Sequence, residues 1–362
     1  MNKDFWKNKK VLVTGHTGFK GSWLTLLLKN FGAEVVGYSL PAPTTPGLFD
    51  VARVSEGIVS IIDDIRNLDS LKRTVSTYKP DIIIHMAAQS LVRYSYKYPV
   101  ETYSTNIMGT VNVLETVRLS RSVKVALIIT SDKCYENREW HWGYRECDPL
   151  GGTDPYSSSK GCAEIVTNAY RKSFFPPEKY DIHGVAIASA RAGNVIGGGD
   201  WGEDRLIPDI MKCWIEKRPV YIRMPHAIRP WQYVLDPLIG YLLLVEKLWD
   251  DGANYSDAWN FGPSEDNCKT VSWILNTLKK YWGNGATWIL DGNEHPIESV
   301  CLKLDSSKTR SKLGWNALYT IPETLKSIVN WYKAYSSGED MRKYCHDELK
   351  NYLNLLEISH GM

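Results

Sequence analysis

The chain has 362 residues, of which 43% are hydrophobic and 12% aromatic, so it can bury the core of one large domain or of two. The formal net charge is +2 and the basic residues are scattered, which excludes the charge pattern of proteins that bind nucleic acid or membrane surfaces. We therefore expect small molecules or further copies of the chain as partners.

The sequence shows no targeting or membrane signal. Its first ten residues are polar and basic, and its longest apolar runs, 125–129 and 241–245, are far shorter than the ~20 residues of a membrane-spanning helix. The seven cysteines form no C-x-x-C pair and have no zinc-ligand spacing. We expect a cytoplasmic protein without a metal site.

Short runs rich in Val and Ile alternate with helical patterns through the first half of the chain. The runs that predict strands are residues 10–14, 34–38, 59–62, 82–86, 125–130 and 184–190. The intervening patterns that predict crossover helices are residues 22–31, 68–78, 102–120 and 157–173. This alternation predicts an α/β fold with a doubly wound, Rossmann-like parallel sheet.

The first predicted strand runs directly into Gly15-x-x-Gly18-x-x-Gly21, and a helix is predicted from about Ser22. In this context glycines let the backbone turn sharply and approach a pyrophosphate, which the amides of the helix N-terminus then receive. The motif therefore predicts a bound dinucleotide, and a purely structural glycine turn is the alternative.

The end of the second predicted strand bears on the choice between NAD and NADP. Tyr38 and Ser39 stand where a carboxylate would bind the adenosine ribose of NAD, and no arginine follows directly to receive the 2′-phosphate of NADP. We expect NAD. Asp64, after the third strand, is a candidate for contact with the adenine amino group, and a solvated turn carboxylate is the alternative.

A tyrosine and a lysine lie four residues apart at the start of a predicted helix, so Tyr156 and Lys160 share one helix face. Ser131 follows the fifth strand at the carboxyl edge of the sheet, where ligands bind in such folds. An adjacent ammonium and a positive nicotinamide would favour the phenolate of Tyr156, which could take a hydroxyl proton as hydride leaves the same carbon. The expected step is alcohol oxidation.

Simpler interpretations of these residues stay open. Tyr156 could be a surface aromatic residue and Lys160 a solvated charge. Cys134 or Cys162 could be a nucleophile, although the chain places no histidine in a matching motif and buried packing cysteines are commoner.

The strand and helix rhythm changes after about residue 195, where a glycine-rich turn and a helix over 206–216 are predicted. A helix over 236–249 is predicted to return to the main sheet. We therefore expect residues 1–195 with about 230–262 to form the Rossmann-like cofactor domain. A smaller α/β substrate domain would comprise about 196–229 with 263–362.

Four runs carry a resemblance to a known family: GHTGFKGSWL at 15–24, HMAAQ at 85–89, NIMGT at 106–110 and AIRPWQ at 227–232. Over nearly its whole length the sequence resembles the extended short-chain dehydrogenase/reductases, and within them the nucleotide-sugar 4,6-dehydratases, chiefly those of CDP-glucose. The resemblance implies these residues around NAD: Gly15, His16, Thr17, Gly18, Phe19, Gly21, Tyr38, Asp64, Ile65, Ala87, Ala88, Gln89, Asn106, Tyr156 and Lys160.

The resemblance also implies the reaction. A hydride moves from sugar C4 to NAD, water is lost from C5 and C6, and the hydride returns to C6, so that CDP-glucose becomes CDP-4-dehydro-6-deoxyglucose. Related enzymes carry Asp-Glu after the serine or threonine, whereas this chain has Asp132-Lys133. Asp132 resembles the acid at the C6 hydroxyl. Lys133 either loses its charge and takes the C5 proton or stays charged and stabilises the enolate.

For the nucleotide end of the substrate, Asn194 and Arg229 match family positions that contact the diphosphate, with Arg205 assisting. The resemblance places Leu206, at a helix start, and Tyr221 in the base pocket. Arg229 could otherwise belong to a structural ion pair, and Tyr221 to the core.

Relatives commonly pair through helices that correspond to 102–120 and 157–173, which implies a homodimer, with a homotetramer as the alternative. The long segment 136–152 predicts either a lid or an ordered surface excursion. Alternative functions are a nucleotide-sugar C4 epimerase, a dehydratase of another nucleotide sugar, and a cofactor-binding protein without turnover. The dehydratase reading further implies a role in making deoxysugars for the O-antigen of lipopolysaccharide.

Overall fold

A computed structural model describes residues 1–293 and 302–360. Its strands are β1 (Lys10–Thr14), β2 (Glu34–Ser39), β3 (Val59–Ile62), β4 (Ile82–His85), β5 (Val125–Ile129), β6 (Ala186–Arg191), β7 (Val195–Ile196), β8 (Val220–Ile222), β9 (Ile228–Pro230), β10 (Gln232–Tyr233), β11 (Ala258–Asn260), β12 (Cys268–Thr270) and β13 (Trp288–Leu290). Seven of them form one parallel sheet in the order β11-β6-β5-β4-β1-β2-β3.

The helices complete the fold. They are α1 (Lys3–Trp6), α2 (Phe19–Asn30), α3 (Leu48–Val51), α4 (Leu68–Tyr78), α5 (Val92–Lys97), α6 (Pro99–Tyr103), α7 (Gly109–Leu119), α8 (Pro155–Phe174), α9 (Tyr180–His183), α10 (Leu206–Ile215), α11 (Leu235–Asp250), α12 (Gly252–Tyr255), α13 (Val271–Trp282), α14 (Ser307–Leu313), α15 (Ile321–Ser336) and α16 (Met341–His360). A π-helical turn, Ser104–Met108, joins α6 to α7. Single 3₁₀ turns lie at Asp132–Cys134, Pro177–Lys179 and Glu265–Asn267.

The large sheet is buried on both faces because alternate residues of its strands enter different apolar cores. Val11 and Val13 of β1 and Ile84 of β4 belong to one core, whereas Leu12 and Ile83 belong to the other. Near-continuous apolar strands of this kind are typical of parallel sheets covered by helices. The predicted α/β class and doubly wound parallel sheet are therefore confirmed.

Several element boundaries differ from the expectations by one or two residues, and three differences are larger. The sheet has a seventh strand, β11, which sequence periodicity missed because it is only three residues long. Helix α2 begins at Phe19 rather than Ser22, since Gly18 takes an extended conformation as the N-cap. The helix expected over 102–120 is interrupted by the π-helical turn at Ser104–Met108.

Three small strand pairs position the second half of the chain against the sheet. β7 pairs with β10, β9 with β12, and β8 with β13. The larger apolar core continues from the sheet into α10, α13 and α15, so both predicted parts share it. Within the described ranges no helix has the length and apolar character needed to cross a bilayer.

A buried acid joins α11 to the C-terminal helix α16. The Asp236 Oδ1 accepts hydrogen bonds from the Leu318 amide and from the Tyr352 hydroxyl, each at 2.7 Å. The Asp236 Oδ2 is buried and has no hydrogen-bond partner within residues 1–293 and 302–360. Burial raises the pKa of Asp236 to about 7 and outweighs the hydrogen bond from Tyr352, which lowers it.

Asp236→Asn is expected to flatten the pH dependence of stability. The folded protein holds this proton up to about pH 7, whereas the unfolded chain releases it near ~3.9, so the free energy of unfolding falls as pH rises through this window. Asparagine does not titrate, so urea midpoints at mildly acidic and mildly alkaline pH should differ less. Asp340→Asn, at an exposed carboxyl, is the control and should keep the wild-type difference. Equal pH slopes in wild type and Asp236→Asn would contradict the assignment.

Candidate active site

The glycine turn between β1 and α2 leaves no room for side chains. Gly15 has a φ of +77°, and a Cβ there would lie 2.8 Å from the Ala87 amide nitrogen. A Cβ on Gly21 would lie 2.0 Å from the Gly15 carbonyl oxygen. The backbone amides at the N-terminus of α2 therefore lie at the carboxyl edge of the sheet, close to the segment that follows β4.

Two side chains of this turn fix the end of β2. Thr17 Oγ1 lies 2.9 Å from Ser39 Oγ and donates a hydrogen bond of 2.9 Å to the Leu40 carbonyl. The His16 ring fills the space left by Gly37, whose Cβ would lie 2.3 Å from it. Burial lowers the pKa of His16 to about 4, so this ring is neutral.

The residues proposed for the adenosine end of the cofactor are held by contacts with one another and with their neighbours. Tyr38 is buried, and its hydroxyl donates to the Asp64 carbonyl oxygen at 3.1 Å. The Asp64 carboxylate accepts from the Arg66 side chain, which lowers the pKa of Asp64. Ile65, the next residue, is buried against Gly109. Tyr38 thus acts on this edge by fixing the turn after β3.

The segment after β4, which contains Ala87 and Ala88, is fixed from the π-helical turn Ser104–Met108. The Asn106 Oδ1 accepts from the Gln89 amide at 2.8 Å, and its Nδ2 donates to the Gln89 carbonyl at 3.0 Å. The same Nδ2 donates to Ser159 Oγ on α8 at 2.8 Å. Asn106 therefore links this segment to the helix that carries Tyr156 and Lys160.

Ser131, Tyr156 and Lys160 lie together at the carboxyl edge of the sheet. Ser131 caps the 3₁₀ turn Asp132–Cys134, and a hydrogen bond connects it with the Tyr156 hydroxyl. Tyr156 lies in the first turn of α8, where Ser95 Oγ accepts from its backbone amide at 3.2 Å. All three side chains are buried, which removes them from bulk solvent.

The protein alone does not favour the Tyr156 phenolate. Burial raises the pKa of Tyr156 to about 12, more than the Ser131 hydrogen bond and the Arg205 charge lower it. Burial also lowers the pKa of Lys160 to about 8, although the nearby Glu164 carboxylate opposes this. An ionised Tyr156 therefore requires positive charge beyond that supplied by the chain.

Asp132 and Lys133 follow Ser131 in the same turn. Asp132 is 4% exposed, and its Oδ1 accepts from Ser131 Oγ at 2.9 Å. Lys133 is half-buried, and its backbone amide donates to Ser131 Oγ at 3.3 Å. Cys134 is buried, and burial raises the pKa of its thiol well above the ordinary value. A thiol held in this form is a poor nucleophile, so the site does not support Cys134 in that role.

Lys20 is a charged neighbour to which the sequence analysis gave no role. It lies in the first turn of α2, and its Nζ donates to the Tyr241 hydroxyl at 3.1 Å. Burial, with the like charges of Lys160 and Arg205, lowers the pKa of Lys20 to about 7, against the opposing Asp132 carboxylate. The helix that follows the glycine turn therefore places Lys20 near the charges of Asp132, Lys160 and Arg205.

Arg205 and Asn194 lie beside this cluster. Arg205 Nη1 pairs with the Asp200 carboxylate at 3.0 Å, and its Nη2 donates to Ser90 Oγ at 2.8 Å. Asn194 has a φ of +44° and follows Gly193, whose Cβ would lie 1.9 Å from Asp132 Oδ2. The turn after β6 therefore packs directly on the Asp132 carboxyl group.

The remaining predicted substrate residues lie on flanking elements. Arg229 is half-buried on β9, where its backbone lies opposite that of Lys269 on β12. Leu206 is the first residue of α10 and is half-buried. Tyr221 lies on β8 and is 61% exposed, so it does not belong to the core.

The segment 136–152 is tied down at both ends and in its middle. Isolated β-bridges join Tyr135 to Leu150 and Tyr144 to Leu304. The buried Tyr144 ring stacks on Tyr135, with ring centroids 5.2 Å apart, and on Trp140 at 5.3 Å. These contacts favour the ordered excursion over the lid.

A buried ion pair joins β6 to α8, the helix that carries Tyr156 and Lys160. Arg191 Nη2 and Glu164 Oε2 are 2.7 Å apart, and both side chains are 3% exposed. The Glu164 carboxylate also accepts from Thr130, next to Ser131, and from Ser189 on β6 at 2.7 Å. The sequence signal for this network is the spacing of four residues between Lys160 and Glu164, which places both on one face of α8.

Among the described residues, no group of three or more His, Cys, Asp and Glu side chains could hold a metal ion.

Comparison with known proteins agrees with this geometry. The family model described as GDP-mannose 4,6 dehydratase matches residues 12–328. The chain is 53% identical to the CDP-glucose 4,6-dehydratase of Salmonella typhimurium over 98% of this chain and 99% of that protein. The solved UDP-glucose 4-epimerase of Thermotoga maritima has a TM-score of 0.78 at 21% identity, covering 90% of this chain and 99% of that one.

A second solved structure, the dTDP-glucose 4,6-dehydratase of Bacillus anthracis in complex with NAD, has a TM-score of 0.74 at 20% identity. The superposition covers 92% of this chain and 99% of that chain, so the same fold extends over nearly all of both. The family-model match and the near full-length relative show that the chain belongs to the GDP-mannose 4,6-dehydratase family of extended short-chain dehydrogenase/reductases.

Proposed function

We propose that this protein converts CDP-D-glucose to CDP-4-dehydro-6-deoxy-D-glucose and water, with NAD as its cofactor. The observation that carries the proposal is the 53% identity to a CDP-glucose 4,6-dehydratase over nearly the full length of both chains. The buried cluster of Ser131, Asp132, Tyr156 and Lys160 supplies the proton-transfer groups that such a reaction requires.

The residues present fit a dinucleotide. Gly15 and Gly21 form a cradle that a single Cβ would fill, and the N-terminus of α2 suits the pyrophosphate charge. Leu40 and Pro41 follow Ser39, so no basic residue awaits a 2′-phosphate directly after β2, which favours NAD. We propose that Thr17, Tyr38, Asp64, Ala87, Gln89 and Asn106 shape the rest of this site. When bound, NAD supplies an acceptor for the C4 hydride and returns that hydride to C6.

Tyr156 takes the proton of the C4 hydroxyl, and Ser131 hydrogen-bonds the same oxygen. Because burial raises the pKa of Tyr156 to about 12, its ionisation would be favoured by the positive charge that bound NAD would supply, together with that of Lys160. This makes proton removal dependent on a loaded cofactor site. The C4 ketone then acidifies the hydrogen at C5.

Asp132 acts as the acid at the C6 hydroxyl. Its carboxyl group is buried between Ser131 and Gly193, away from bulk water. Asn194, Arg205 and Arg229 bind the diphosphate, since guanidinium groups match phosphate oxygens. We propose that the nearby start of α10 at Leu206, together with the exposed Tyr221, contacts the base.

Lys133, in its neutral form, removes the C5 proton in this proposal. Lys133→Ala is expected to reduce turnover about 100-fold or more and to abolish solvent deuterium exchange at C5, because the base is gone. Lys179→Ala, at an exposed lysine, is the control and should exchange like wild type. Continued exchange in Lys133→Ala would exclude Lys133 as the base and leave it the role of enolate stabiliser.

A C4 epimerase is the second candidate, favoured by the TM-score of 0.78 to an epimerase. An epimerase needs no acid beside Ser131, whereas this chain buries Asp132 there. Purified protein incubated with CDP-glucose and NAD should give a product lighter by one water. A product of unchanged mass would favour epimerisation, and dTDP- and GDP-glucose in the same assay test the base preference.

We also propose a homodimer formed through α6, α7 and α8. Large apolar side chains are exposed along these helices, and such patches mark association surfaces. They include Val100, Met108, Leu119, Ile165 and Phe174. The mass in solution tests the dimer against a monomer and a tetramer.

The division into two domains and the cellular compartment are further parts of the proposal. The cofactor part would comprise 1–195 with 230–262, and the substrate part 196–229 with 263–362, supported by the small strand pairs that carry Arg229 and Tyr221. Free thiols at Cys134, Cys147 and Cys162 are consistent with the cytoplasm. The product class, an activated deoxysugar, is compatible with the predicted O-antigen role.

A further inference from the structure

A glutamine outside the catalytic cluster joins three segments that surround it. Gln232 lies in β10 and is 1% exposed. Its Nε2 donates to the carbonyl oxygens of Gly193 at 2.9 Å and of Phe261 at 3.0 Å, and its backbone amide donates to the Asn194 carbonyl at 3.2 Å. The turn after β6 and the chain after β11 are therefore both held from β10.

The chemistry of these contacts requires an amide side chain. Both carbonyl oxygens can only accept hydrogen bonds, so the NH₂ group of Gln232 must face them. An apolar side chain would leave two buried carbonyls unpaired, and a carboxylate would place a negative charge against them. Gln232 is the side chain that satisfies both oxygens at once.

The burial of Gln232 has a cost in stability, because one polar atom of its side chain is left without a partner among the described residues. Its Oε1 is buried and has no hydrogen-bond partner in the part of the chain that the structure describes. Such groups are rare in folded proteins, and departures from simple packing concentrate at functional sites. The unpaired oxygen indicates that the two contacts of the NH₂ group matter more than full satisfaction of the side chain.

Gly193 connects Gln232 to the acid. A Cβ on Gly193 would lie 1.9 Å from Asp132 Oδ2, so the Asp132 carboxyl group packs directly against the Gly193 backbone. The other oxygen, Oδ1, accepts from Ser131 Oγ at 2.9 Å. A shift of the Gly193 peptide would therefore let the Asp132 carboxyl group move, while Tyr156 and Lys160 on α8 would stay in place.

We propose that Gln232 is a positioning residue for the loss of water: it holds the Gly193 peptide so that the Asp132 carboxyl group faces the C6 hydroxyl of the sugar. The inference rests on the proposed function, in which Asp132 is the acid. It predicts that Gln232 affects elimination more than it affects the preceding oxidation at C4, because the groups that act at C4 do not contact it.

The test is a quenched single turnover of CDP-glucose by the holoenzyme, analysed by mass. Sugar oxidised at C4 is lighter by two hydrogens. Sugar that has eliminated has also lost one water, and it regains the two hydrogens when the hydride returns to C6 and a proton returns to C5. In Gln232→Met we expect water loss to slow about 10- to 100-fold and C4 oxidation to change less than about threefold, so the oxidised sugar accumulates. Gln232→Asn, which keeps a shorter amide, should lie between this variant and wild type.

Thr309→Val is the matched control. Thr309 is buried and donates to the Asn260 carbonyl at 2.6 Å, so its loss also leaves one buried carbonyl unpaired without touching Gly193. The ratio of oxidised sugar to sugar that has lost water should be the same in this variant as in wild type. Equal slowing of both steps in the Gln232 variants, or a wild-type partition in both, would overturn the inference. Wild-type protein that never loses water would instead overturn the proposed function.

Discussion

Tyr156→Phe is expected to lower kcat by about 10³-fold with little change in KM, because the phenol is the only group placed to take the C4 hydroxyl proton in the proposal. The ring and its burial are retained, so folding and substrate binding should survive. Initial rates with CDP-glucose across a concentration series measure both constants.

The pH profile gives a second test of the same residue. If the bound cofactor lowers the high pKa of Tyr156, turnover of wild-type protein rises with pH as the phenolate forms, whereas the remaining turnover of Tyr156→Phe lacks this rise. Tyr255→Phe, on α12, removes a hydroxyl that donates to the Lys312 carbonyl at 3.4 Å; it is the control and should behave as wild type. Activity of Tyr156→Phe within a few-fold of wild type would remove the phenol from the mechanism.

Arg191→Met is expected to cost about 3–5 kcal/mol of unfolding free energy, because it leaves the Glu164 carboxylate buried without its cation. The double variant Arg191→Met with Glu164→Gln should recover a large part of this loss, since the remaining buried group is neutral. Urea unfolding followed by the fluorescence of the 14 tryptophans measures each free energy.

The control for this cycle is a surface pair of the same chemistry. Arg118 and Glu115 pair at 2.7 Å on α7 with the arginine 37% exposed, so Arg118→Met should cost far less than Arg191→Met. If Arg191→Met were as mild as Arg118→Met, the buried pair would not stabilise the segment after β5, which contains Ser131, or the helix that carries Lys160.

The sheet could be predicted because its strands are short, apolar and separated by helical patterns, as in β4 and β5. The three-residue strand β11 could not, since its neighbours and not its own pattern make it a strand. The break between α6 and α7 also lies outside simple periodicity, because a π-helical turn keeps a helical pattern of apolar residues.

At the site, Ser131, Tyr156 and Lys160 could be placed from the strand end and the helix spacing. The supporting residues could not. Gln232 meets Gly193 across 39 positions of sequence and Glu164 meets Arg191 across 27, and nothing local predicts these contacts. The raised pKa of Tyr156 in the protein alone could not be predicted for a related reason, since its main cause is burial by the folded chain.

The most direct measurement of the central claim follows one hydrogen through the reaction. CDP-glucose that carries deuterium at C4 is incubated with the purified protein and NAD, and the product is analysed by mass and by NMR. The account predicts a sugar nucleotide lighter by one water that retains the deuterium at C6, without net reduction of the cofactor. A product of unchanged mass, or a dehydrated product whose deuterium has been lost to solvent, would contradict it.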